Sequence, residues 1–162
     1  MKNKNRIILG IDPGYDRVGW SISTGDKSKF SCIALGCIQT DKDNNIFTRY
    51  QKIQSDLKEI INHFQPTELA IETLFFSVNK KTAIRVSEAR GIIIGVCLEM
   101  GLHVYEYDPV TIKLAVTGDG KANKQAVEKM VKMQVNGSVN KHIDDAIDAV
   151  AIAMTHVFTL QV

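Results

Sequence analysis

ILGIDPGYDRVGW, residues 8–20, is an apolar run that ends on an acid and then on turn-forming residues. The order reads as a strand over Arg6 to Ile11 followed by a turn: proline presets φ, glycine tolerates tight curvature and Asp12 can bond its own backbone. Working outward, Val18 to Ser23 and Phe30 to Thr40 read as two more strands, with the polar Gly25-Asp26-Lys27-Ser28 stretch as their hairpin loop. From Phe47, the apolar residues Ile53, Leu57, Ile60, Ile61 and Phe64 recur at helical spacing until Pro66 stops the pattern, which predicts a crossover helix. ELAIE, residues 68–72, is a short strand; Lys80 to Met100 is a long helix with a small, apolar stripe of Ala83, Ala89, Gly91, Ile94 and Leu98; Leu102 to Glu106 is a fifth strand. After Pro109 the chain reads as helical to Val116, then as the loop TGDGKA, then as helices over Asn123 to Val135 and Ile143 to Phe158. This order, βββαβαβα, predicts an α/β protein with a five-stranded mixed sheet flanked by helices.

At 162 residues the chain has the length of one domain, 1–162, able to bury roughly 70% of its unfolded surface. Its 44% hydrophobic and 23% charged residues exclude a disordered or fibrous class. No apolar run approaches the roughly 18 residues that span a bilayer, and MKNKNR has no signal-like apolar stretch, so a cytoplasmic protein without a membrane partner is expected. Cys32, Cys37 and Cys97 are odd in number and lack Cys-x-x-Cys spacing, which argues against a disulfide framework or a zinc knuckle. With a net charge of +2, any affinity for nucleic acid must come from local basic faces. Two segments qualify: Lys80, Lys81, Arg85 and Arg90, and then Lys113, Lys121, Lys124, Lys129 and Lys132, although either can equally be a solvated helix face.

The chemistry lies in the acids. Asp12 and Glu72 each end an apolar strand, and a crossover helix between the two strands favours parallel neighbours, with both carboxylates at the carboxyl edge of the sheet. An Asp before Pro-Gly is also an ordinary turn former, and a strand-end Glu can simply face solvent. In the last helix, Asp144, Asp145 and Asp148 interrupt a segment otherwise made of Ile, Ala, Val and Met, and Asp148 flanks the core stripe of Ile143, Ile147, Val150 and Met154. Asp145 with Asp148 and Asp144 with Asp148 both satisfy helical neighbour spacing, so the residues alone leave that pairing open. Helix-dipole stabilisation accounts for acids in the first turn but less well for Asp148. Carboxylates from three elements about 5 Å apart repel by roughly 3 kcal/mol per pair at an effective dielectric of 20, so such a cluster needs counter-ions. Oxygen-only ligands favour Mg²⁺, with Mn²⁺ able to substitute, and two such ions suit phosphodiester hydrolysis.

Four separated segments, ILGIDPGYDRVGW, AIETLFFSVN, SEARG and DDAIDAVAIAMTH, together resemble the RuvC family of Holliday junction resolvases from about Ile7 to His156. The resemblance implies an RNase H-like fold and a two-metal site of Asp12, Glu72, Asp145 and Asp148, choosing Asp145 over Asp144. It implies an endonuclease that resolves four-way DNA junctions in recombination and repair, acting as a homodimer so that two sites cut opposed strands. It also implies that Phe75, three residues after Glu72, wedges into the opened junction, a role apolar side chains can fill. Lys113 and Lys124 match basic positions that contact phosphate, with Lys121 and Arg85 as weaker DNA-binding candidates. Branch-migration machinery is a further partner class. Small residues on the long helix, Ala83 and Gly91 among them, would permit close packing at the dimer. The chain departs from many relatives in ending at Val162, without a longer basic tail.

Other readings fit less well. TGDGKA is no P-loop, because Ala115 and Ala122 stand where glycine and Ser or Thr are needed. The four histidines are scattered, which suits packing or surface roles, and only His142 falls close in sequence to the last acids. A RuvX-like nuclease acting on RNA shares the Asp-x-Gly opening and the fold, but the paired Asp145 and Asp148 with Phe75 fit the junction resolvases better. An ATPase of the actin and hexokinase type needs two such lobes, and a non-catalytic DNA-binding module has no use for four repelling carboxylates.

Overall fold

The computed structural model describes residues 6–74, 79–135 and 144–160. Its order is β1 (Ile8–Asp12), β2 (Arg17–Asp26), β3 (Lys29–Gln39), α1 (Ile46–Phe64), β4 (Glu68–Glu72), α2 (Lys80–Glu99), β5 (His103–Tyr107), α3 (Pro109–Thr117), α4 (Lys124–Gln134) and α5 (Asp144–Thr159). The strands form one five-stranded sheet in the order β3-β2-β1-β4-β5, antiparallel from β3 to β1 and parallel from β1 to β5. The expected mixed sheet flanked by helices is therefore the one found.

Strand alternation decides which residues meet which helix layer. Leu9, Ile11, Val18, Ile22, Leu69 and Ile71 pack on one face with Ile53, Leu57 and Ile61 of α1 and Ala89, Ile93 and Cys97 of α2. Ile8 and Ala70 face the other way, into the layer formed by Ile112, Val127, Val131, Ile147, Val150 and Met154 of α3, α4 and α5. Asp12 and Glu72, two residues beyond Gly10 and Ala70, stand in phase with this second layer.

The β2–β3 hairpin is longer than expected. Its loop narrows to Lys27 and Ser28, because the Asp26 carboxylate accepts hydrogen bonds from the Ser28 and Lys29 amides at 2.8 and 3.1 Å and closes the turn. In α1 the Asn45 side chain caps the amide of Thr48 at 3.0 Å, and Gln65 ends the helix in the left-handed region with φ 52°. The apolar face of α2 differs from the expected stripe. Ala89, Ile93, Val96 and Cys97 are buried, while Gly91 and Leu98 face outward, Leu98 at 57% exposure. This helix carries apolar residues around most of its circumference, so periodicity could not select the face turned to the sheet.

The last helix lies almost on the sheet backbone. A Cβ placed on Gly19 would sit 1.9 Å from the Asp145 carbonyl oxygen, and one on Gly10 would sit 2.3 Å from that of Ala149. Ser21 makes the approach productive by donating its hydroxyl to the Ala149 carbonyl at 3.0 Å. Glycines in β1 and β2 thus let α5 cross directly above the strand that ends in Asp12.

Candidate active site

Register places the first two acids. Ile11 of β1 pairs with Ile71 of β4, so Asp12 and Glu72 follow side by side at the carboxyl end of two adjacent parallel strands. The close crossing of α5 then brings its first turns over that edge. Asp144 is exposed, whereas Asp145 and Asp148 are half-buried and turned to the sheet.

The electrostatics follow from that placement. Burial, then the charges of Asp148, Glu72 and Asp145, push the Asp12 carboxyl up to about 8, against a small opposing pull from Lys124. Burial and Asp148 likewise raise Glu72, with Lys113 acting the other way. Asp148 is raised by burial although Lys124 stands 3.4 Å from its Oδ2. Asp145 meets a different cation, the Arg17 Nε at 3.0 Å from its Oδ2, and the Cys37 Sγ lies 4.0 Å from the same oxygen. Among the described residues no three His, Cys, Asp or Glu groups already form a ligand set; two of the four acids face protein cations instead. The donors themselves suit a hard divalent cation: they are half-buried carboxylate oxygens, and Asp12, raised to about 8, has no cation paired with it among the described residues.

A cleft of about 240 Å³ opens beside the acids, lined by Glu72, Asp148, Lys113 and Lys124 over a floor that includes Ile112, Val127 and Ile152. Such an opening presents carboxylates and ammonium groups to one ligand, as phosphate chemistry requires. Lys121 lies outside it, exposed in the loop where its amide bonds Asp119. Arg85 pairs with Glu88 at 2.9 Å beside Tyr50 of α1, whose hydroxyl donates to the same carboxylate, and does not line the cleft. Arg90 does not join the expected basic face. It turns inward, donating to the Glu72 carbonyl at 3.0 Å and pairing with Glu106, and so ties α2 to the ends of β4 and β5. Phe75 and His142 lie outside the described residues.

Sequence reasoning missed Arg17 and Cys37. The signal was available only through register: Asp12 pairs with Gly19, Gly19 with Cys37, and Arg17 shares the face of Gly19 and Ser21. His63 and His103 are exposed and His156 is buried, in keeping with surface and packing roles. His156 serves a second polar cluster at the other end of α5, where its ring bonds Glu68 at 2.6 Å.

Residues 8–156 match the family model described as crossover junction endodeoxyribonuclease RuvC. Curated relatives of that name include one from Finegoldia magna, 44% identical over 93% of this chain and 92% of the relative, and one from Pseudothermotoga lettingae, 42% identical over 93% of each. Among solved structures, Thermus thermophilus RuvC superposes with a TM-score of 0.84 at 29% identity, covering 94% of this chain and 93% of that one. The same protein in complex with Holliday junction substrate superposes at 0.85. The RNase H-like fold implied by the four motifs is thus the fold of this chain.

Proposed function

This chain belongs to the RuvC family of crossover junction endodeoxyribonucleases, and from that premise we propose that it resolves four-way DNA junctions by hydrolysing phosphodiesters at the carboxyl edge of β1 and β4. The observation that carries the site is the convergence of the half-buried Asp12, Glu72 and Asp148 carboxyls where two strands and one helix meet, with burial first and the Asp148 charge next raising Asp12 and Glu72. Asp12, Glu72, Asp145 and Asp148 are the residues that would hold two Mg²⁺ ions, with Mn²⁺ as a substitute. Ions bound there supply the charge that activates water and steadies the leaving oxygen.

The protein's own groups do the rest. Burial and the neighbouring acids raise the Asp12 carboxyl to about 8, so a divalent cation held there would take the place of its proton. Lys113 and Lys124 stand in the cleft beside Glu72 and Asp148 and offer point charges to backbone phosphates without reading sequence. Arg90 holds the backbone of Glu72 from behind, which keeps that carboxylate at the edge when β4 gives way to the next segment. Phe75 as the junction wedge, and Lys121 and Arg85 as outlying DNA contacts, rest on the family resemblance.

A homodimer is part of the proposal, because two nicks in opposed strands need two sites. Supporting it is the outward face of α2, where Ile84 and Leu98 are 55% and 57% exposed and a Cβ on Gly91 or Gly95 would meet nothing within 4 Å. None of the described helices is long and apolar enough to cross a membrane, and action on DNA in the cytoplasm completes the reading. The test is to incubate the purified protein with a synthetic four-way junction, a plain duplex and a single strand, each with Mg²⁺ or EDTA. The expected result is Mg²⁺-dependent, paired cutting of the junction alone; equal cutting of the duplex would remove the junction from the proposal.

A further inference from the structure

Arg6, Arg17 and Arg49 each pair with a carboxylate, and they are held very differently. Arg6 grips Glu68 through Nε at 2.9 Å and Nη2 at 2.7 Å. Arg49 is buried, donating to the Thr40 hydroxyl at 2.9 Å, to the Tyr15 carbonyl and to Asp16, with its guanidinium over the Tyr15 ring. Arg17 has a single ion pair among the described residues, Nε to Asp145 Oδ2 at 3.0 Å, and its side chain is 49% exposed. Two of these side chains are fixed by several strong partners, and the third is held by the Asp145 carboxylate with only the Cys37 thiol beside it among the described residues.

That point is one of the four proposed metal ligands. Arg17 opens β2 on the face of Gly19, whose missing Cβ lets the Asp145 backbone descend onto the sheet. A guanidinium at this position compensates an acid that would otherwise add to the repulsion around Asp12. It also competes with any divalent cation that needs the same oxygen. Once displaced, a half-exposed Arg fork beside the metal ligands has a natural partner in a DNA phosphate, whose two free oxygens match its geometry.

Resting on the proposed metal site, we infer that Arg17 is a two-position residue: it neutralises Asp145 in the metal-free protein and moves to a backbone phosphate of the bound junction when a divalent cation takes its place. It acts on metal affinity and DNA affinity in opposite directions. A purely structural ion pair between β2 and α5 would not.

The experiment titrates wild type, Arg17→Gln, Arg17→Lys and Asp145→Asn with Mn²⁺ in a calorimeter without DNA. It then measures junction binding by each in Ca²⁺ across a salt series. Removing one positive charge beside the site is expected to tighten Mn²⁺ binding by Arg17→Gln on the order of tenfold. Junction binding by that variant should weaken about threefold to tenfold, with a salt slope reduced by about one. Arg17→Lys keeps the charge without the fork, so it should bind Mn²⁺ near wild type and the junction between wild type and Arg17→Gln. Asp145→Asn should bind Mn²⁺ more weakly. If wild type binds Mn²⁺ and Arg17→Gln binds it no more tightly, or if junction affinity is unchanged, the role of Arg17 is overturned while the metal site stands. If wild type binds no Mn²⁺, the metal site falls and this inference with it.

Discussion

Glu68 and Glu72 stand at the two ends of β4, in phase on the face that α5 covers, and their surroundings are opposite. Glu68 accepts from Arg6, with His156 Nε2 2.6 Å from its carboxylate, while the Tyr107 hydroxyl and His156 Nδ1 share a hydrogen bond at 2.6 Å. Burial pushes Glu68 up, but the hydrogen bonds from Arg6 and His156 bring it below its ordinary value. Burial also lowers His156, which favours the neutral ring between Glu68 and Tyr107. Glu72, four residues on, meets burial and Asp148 and is raised. One end of the strand has its charges answered inside the protein. The other end leaves them for something brought from outside.

Substitutions at the two ends should therefore separate activity from stability. Glu72→Gln is expected to lower junction cutting about a thousandfold, roughly 4 kcal/mol of transition-state stabilisation, while leaving urea unfolding in EDTA unchanged or shifted to higher denaturant. Glu68→Gln should do the reverse. It strands Arg6 and His156 and should cost about 3 kcal/mol in the same unfolding experiment, with Mg²⁺-dependent cutting retained by the folded fraction. Equal stability losses at both positions would erase the distinction.

A smaller effect tests what carries the acids of α5 to the edge. Gly19→Ala puts a Cβ against the Asp145 carbonyl, so α5 must lift; a loss of about 2 kcal/mol is expected, with weaker Mn²⁺ binding in calorimetry. Wild-type affinity in that variant would mean that the close crossing does not position the site.

The sheet's strands and the crossover helix were legible because apolar runs and helical spacing have simple periods, and both strand-end acids followed from them. The face of α2 was legible only in part: of the expected stripe Ala89 is buried and Ile94 packs on the core, whereas Gly91 and Leu98 face outward, because apolar residues on both sides of the helix blur the period. Pairing Asp145 rather than Asp144 with Asp148 needed a family resemblance, because helical spacing allows both. Arg17 and the Glu68–His156 cluster stayed hidden for another reason: they join residues 128 and 88 positions apart, and only strand register and the glycine-permitted descent of α5 bring them together.

The smallest expected effect is the pH dependence of stability without metal. Asp12, raised from 3.8 to about 8, keeps a proton in the folded protein that the unfolded chain has already released. Its contribution is complete below the unfolded value and is lost as pH rises through about 8. Glu68, lowered, contributes stability above its ordinary range that is lost as pH falls through its folded value. In EDTA the melting temperature should decline by a few degrees from about pH 5 to about pH 8, and saturating Mg²⁺ should flatten the decline.

Asp12→Asn tests the central claim most directly when unfolding in EDTA at about pH 8 and four-way junction cutting in Mg²⁺ are measured on the same preparation. The account predicts a variant at least as stable as wild type, because a repelled carboxyl is gone, and cutting reduced about a thousandfold. Cutting at the wild-type rate, or a clear loss of stability, would contradict it.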